Sequence, residues 1–110
     1  MEWMRMLAAG LTAAFGVVVL LRPRAVARAV GLDLPAPRGV TEARVSLGAI
    51  WVGLGGFVFL NPVPPASHVL CAGYAAMALV RLGAMAWDRS VDRSNLATLA
   101  VEVALALMLA

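Results

Sequence analysis

A chain of 110 residues that is 63% hydrophobic and 14% charged, with a mean hydropathy of +0.90, carries more apolar surface than a soluble domain of its size can hide; soluble domains hold about 45–50% apolar and about 25% charged residues. All nine basic residues are Arg, the net charge is +3, and most Arg lie between apolar runs rather than on one polar face, which points away from nucleic acid and toward membrane topology signals and anionic-lipid contact. One Cys, Cys71, and one His, His68, exclude an internal disulfide and a multi-His metal site; with no phosphate loop, nucleophile elbow or zinc-protease helix motif either, no catalytic residue, metal or cofactor is expected.

The first apolar run, about 3–21, is long enough for a hydrocarbon core of about 30 Å. Ala25-Val26-Ala27 resembles a signal-peptidase site, but Arg22, Arg24 and Arg28 follow the run instead of preceding it, so a retained helix is expected. Residues 23–32 admit two readings: a short amphipathic helix on the membrane surface, with Pro23 in its first turn and Val26, Ala27, Val30 and Gly31 on one face, or an irregular Arg-rich loop. The first is favoured. Leu34-Pro35-Ala36-Pro37 breaks it. The second run, about 41–60, has Thr41 as a candidate N-cap; its Gly48, Gly53, Gly55 and Gly56 let helices approach closely, and Ala49-x-x-x-Gly53 is a small-residue pair among them. Asn61 to Pro65 forms a stiff connection. The third run is about 66–87. A polar loop, 88–94, leads to the last run, 95–110, which is short for a span. The chain therefore reads as one all-α domain, an integral membrane four-helix bundle with an interfacial helix after its first span.

Arg22, Arg24, Arg28, Arg38, Arg89 and Arg93 occupy the first and third loops, against Arg5 alone on the other side. The positive-inside rule places a multi-pass protein in the cell membrane with loops 22–40 and 88–94 in the cytoplasm and both termini outside. Trp3 and Trp87 then fall at opposite interfaces, while Trp51 reads as packing.

Glu42, Arg44, Arg81 and Glu102 are the charges that helix rise places inside the bilayer, where each costs about 2.5–3.5 kcal/mol on insertion scales unless it is partnered. Arg44 falls about a turn into the second helix, Arg81 about two turns before the end of the third and Glu102 about two turns into the fourth. All three belong to the cytoplasmic half. Arg81 with Glu102 is the expected pair, with Arg44 nearby and Glu42 closer to the surface. Two Arg against two carboxylates balance, which favours a structural clamp. The other reading is a polar pocket for a headgroup, a quinone-like ligand or a small anion, or a proton relay. His68, Cys71 and Tyr74 recur at intervals of three; an interfacial His and two packing residues are favoured over a cavity lining.

Pro23-Arg24-Ala25-Val26-Ala27-Arg28-Ala29-Val30-Gly31-Leu32-Asp33 resembles the first-loop segment of the four-helix membrane family catalogued as domain of unknown function 4345. Glu42-Ala43-Arg44-Val45-Ser46-Leu47-Gly48, the glycines at 53 and 55, Arg81-Leu82 and Glu102 are similar to it too, although Val45-Ser46 replaces its usual glycine or tyrosine. The resemblance implies a compact four-helix bundle, distantly DoxX-like, with no settled activity and with Glu42, Arg44, Arg81 and Glu102 at the family's polar positions.

Three functions are weighed. The first is a non-enzymatic bundle, able to form a homo-oligomer, that binds a lipid-like molecule or a partner membrane protein over the Arg/Glu cluster. The second is a small proton- or ion-coupled transporter acting as an oligomer, opposed by the lack of any carboxylate from Met4 to Leu21. The third is an intramembrane enzyme using Glu102, opposed by the lack of a second catalytic group.

Overall fold

A computed structural model describes residues 2–110 as helices and short connections, with no strand among them. Helix α1 spans Glu2–Leu21, α2 Pro23–Ala29, α3 Pro37–Leu60, α4 Ala66–Trp87 and α5 Arg93–Leu109. Three of them, α1, α3 and α4, are long and apolar enough to cross a membrane. Helix α5 has 17 residues, about 25 Å at helical rise.

Local chemistry sets most boundaries. Pro23 begins α2 at its first turn. Gly31, at φ +84°, ends it: Leu32 N–H donates to Ala27 O at 2.7 Å and Gly31 N–H to Arg28 O at 3.1 Å, the paired closure that a left-handed glycine makes possible. Pro23 and Ala27 are buried while Arg24 and Arg28 are exposed, so residues 23–29 form a helix rather than a loop. Helix α3 starts at Pro37, a turn before the expected cap. Thr41 lies inside the helix, because Pro37 fits a first turn and Ala36 takes the extended backbone ahead of it. Helix α5 also starts early: the Asp92 carboxylate accepts from Asn95 N–H at 2.8 Å and caps it.

Helix α3 is not uniform. Arg44–Ala49 forms a π-helical stretch between two α-helical parts. The wider turn resets which residues face α1. The expected pair Ala49 and Gly53 is therefore not the contact; both are exposed, and nothing lies within 4 Å of a methyl built on Gly53. The close approach is made by other small residues of the same run, Gly48 and Gly55. A methyl on Gly16 of α1 meets Gly48 O at 2.6 Å and Val52 N at 2.7 Å, and one on Gly55 meets Ala13 N at 2.6 Å and Ala9 O at 2.7 Å. Backbone touches backbone along this seam, so α1 and α3 form one tight hairpin. Helices α4 and α5 form the second.

The two hairpins are joined toward one end. The buried core there comprises Ala8, Ala9, Val58, Leu70, Tyr74, Leu105 and Leu109. Tyr74 is its hub. Its hydroxyl is 2.5 Å from Thr12 Oγ1, which also donates to Ala8 O at 2.8 Å. Its ring stacks on Trp51 with centroids 5.9 Å apart. Arg5 Nη2 donates to Ala110 O at 3.0 Å at the same end. The molecule measures 40 × 31 × 17 Å, nearly twice as wide as it is deep across the helices.

Candidate functional site

Away from the Tyr74 junction, the second hairpin carries its own polar cluster. Arg81 reaches from α4 to α5 side-on: Nε donates to Glu102 Oε1 at 2.7 Å and Nη2 to Glu102 Oε2 at 2.8 Å. Two parallel charge-assisted bonds of this kind fix both side chains in one geometry. Arg81 Nη1 donates to Asn95 Oδ1 at 2.9 Å, and Asn95 Nδ2 donates to Ser90 O at 2.7 Å. The network thus ties the middle of α5, the end of α4 and the loop between them. Glu102 is 2% exposed, while the Arg81 side chain keeps 27% of its surface open. The carboxylate is the sealed end of the pair and the guanidinium the accessible end.

That accessible end lines an open groove of about 600 Å³. Its walls include Met77, Val80 and Ala84 on α4, and its polar end is formed by Arg81, Ser90 and Asn95, with Asp88 also lining it. Every lining residue belongs to the second hairpin. The first hairpin leaves this face uncovered.

The four charges singled out in the sequence do not all meet. Arg81 and Glu102 pair. Glu42 instead lies exposed on α3, where Arg38 Nη1 donates to its Oε2 at 2.5 Å and Ser46 Oγ to its Oε1 at 3.0 Å. Arg44 is exposed and makes no hydrogen bond to a described residue. A partner one helical turn away, Arg38, outcompetes a distant one for Glu42 because i,i+4 neighbours need no tertiary packing to meet.

Of the third-helix trio, His68 is exposed, Tyr74 is the junction residue, and Cys71 Sγ donates to Ala106 O at 3.1 Å. Two contributors lay outside the sequence reading. Asn95 had been placed only as the start of a span; an amide at the foot of an apolar helix, facing an Arg, was the available signal. Thr12, the one hydroxyl in α1, carried a similar signal, since a polar group in an apolar helix needs a partner.

No family model matches this chain, and no curated protein or solved structure is significantly similar to it. The functional reading therefore rests on the geometry of the cluster and its groove.

Proposed function

We propose that the chain is a four-span membrane bundle, non-enzymatic, that binds a lipid-like amphiphile in the groove beside Arg81. The observation that carries this reading is the groove itself: an apolar trough along α4 that ends on a charged, hydrogen-bonding floor. That pattern suits a molecule with a tail and a polar head. Glu102 is 2% exposed, does not line the groove, and both of its oxygens accept from Arg81, which keeps this carboxylate from the contact with an occupant that a transporter or an acid–base enzyme needs.

The fourth span in this reading is α5. It packs along α4, and its buried charge is neutralised by Arg81, so its interior position costs far less than an unpaired carboxylate in hydrocarbon. Trp3 and Trp87 are both exposed, as residues of an interfacial belt are. The Arg-rich connections 22–36 and 88–92 then lie in the cytoplasm and both termini outside. We also infer kinship with the four-helix family that residues 23–33 and 42–48 resemble.

Native mass spectrometry of the intact protein, released from the membrane in mild detergent, tests the binding. Retained amphiphile is expected on the natural chain and is expected to be lost in Val80→Trp, which fills the groove from a position already 70% exposed. A natural chain that leaves the detergent bare, or adducts indifferent to the Trp, would overturn the reading.

A further inference from the structure

We propose that the head of the groove's occupant is uncharged, its oxygens those of esters and a hydroxyl as in a neutral glyceride, and that the groove rejects an anionic phospholipid with the same tails. This rests on the amphiphile-binding reading above and narrows its chemistry.

Arg81 demands acceptors. A guanidinium has five N–H donors, of which three are engaged by Glu102 and Asn95; the remaining two have no acceptor among the described residues. The side chain lines the groove and is 27% exposed. In an apolar setting, spare donors on a cation are satisfied by oxygen atoms of whatever fills the space.

The same site gives an anion no net pull. The charge of Arg81 is already cancelled by a bidentate carboxylate, and Asp88 adds a negative group at the rim. The balance holds for the whole second hairpin. Residues 61–110 hold Arg81, Arg89 and Arg93 against Asp88, Asp92 and Glu102, so the entire +3 of the chain resides in residues 1–60. Exposed Arg22, Arg24, Arg28 and Arg38 offer anionic headgroups a better seat outside the groove. An uncharged carbonyl meets the donors at Arg81 without confronting either acid. Both lipids bring the same ester carbonyls to Arg81, so the preference comes from the phosphate, which meets Asp88 and a guanidinium whose charge is already balanced by Glu102; a ratio of about tenfold is expected.

The full-length protein in phosphatidylcholine nanodiscs is offered isotope-labelled dioleoylglycerol and dioleoyl phosphatidic acid in equal amounts, and the retained adducts are compared by native mass spectrometry. Dioleoylglycerol retained about tenfold over phosphatidic acid, and lost in both Val80→Trp and Ala76→Trp, supports the proposal. Both substituted positions are exposed, and circular dichroism checks that each variant keeps its helices. Asp88→Asn is expected to narrow the preference by admitting more phosphatidic acid. Phosphatidic acid favoured by the natural chain and expelled by either Trp overturns the uncharged head while leaving the amphiphile reading intact. Adducts of both lipids unaffected by either Trp overturn both.

Discussion

Two residue pairs carry most of the specific chemistry, Arg81 with Glu102 and Tyr74 with Thr12. Removing Arg81 leaves the buried Glu102 carboxylate without compensation, which costs about 3–5 kcal/mol; removing Glu102 leaves the more accessible guanidinium unpaired and costs less. Arg81→Ala is expected to lower thermal stability in detergent by that order and Glu102→Ala by less, with the double variant losing clearly less than the two together. Strictly additive losses in that double-mutant cycle would count against a coupled pair. Arg81→Lys is expected to recover only part of the loss, because an ammonium cannot reproduce the two parallel bonds. The second pair is neutral and its effect smaller: Tyr74→Phe and Thr12→Val are each expected to cost about 1 kcal/mol, and Tyr74→Phe leaves the stack on Trp51 in place. The Arg81–Glu102 pair was legible in the sequence, because two isolated opposite charges in adjacent apolar runs, at matching depth, have few other ways to be satisfied. Asn95 was hidden by its position at a helix start, where an amide reads as a boundary residue. Glu42 reads in the sequence as closer to the surface than the other three charges, and it is exposed; its partner is not apparent from a second helix beginning at Thr41. With the helix begun at Pro37, Arg38 becomes its neighbour one turn away.

At the scale of the elements, the decisive feature is the seam between α1 and α3. Gly16→Ala and Gly55→Ala each place a methyl 2.6–2.7 Å from backbone atoms of the facing helix. Backbone cannot turn aside as a flexible side chain can, so the helices must separate. Overpacking of this kind costs about 1–3 kcal/mol. Gly53→Ala is the matched control: its methyl meets nothing, and the gain in helix propensity, up to about 1 kcal/mol, is expected to leave the protein unchanged or slightly more stable. Comparable losses at all three positions in thermal unfolding would show that the seam is not set by close approach. The existence of these helices was readable from apolar runs bounded by Pro, Gly and Arg. Their facing sides were not. A π-helical stretch depends on how α3 settles against α1, and neighbouring residues on a helix point about 100° apart, so the small size of residues 48, 49, 53 and 55 did not by itself say that Gly48 and Gly55 are the ones that meet α1.

The whole molecule raises the question of orientation. The proposed arrangement, with the Arg-rich connections inside, predicts that a membrane-impermeant maleimide labels Glu2→Cys from outside intact cells and Arg89→Cys only after the cells are opened, each in a Cys71→Ser background; labelling of position 2 from the inside alone would invert the arrangement. Whether a chain belongs in lipid is decided by composition, and the three long apolar helices accord with that. How the hairpins meet was less visible, since their junction depends on one Tyr, one Thr and one Trp that look like ordinary packing residues in the sequence.

That junction lies two turns of α4, about 10 Å of helical rise, from Arg81. From Tyr74 to Asp88, α4 runs about 21 Å at helical rise. A lever of that length turns a tilt of about 5° at the aromatic joint into a sideways travel of about 2 Å at the far tip. The groove beside Arg81, whose walls all belong to the second hairpin, therefore travels as one piece, and its separation from the first hairpin is set by how firmly one stacked indole and one pair of hydroxyls grip.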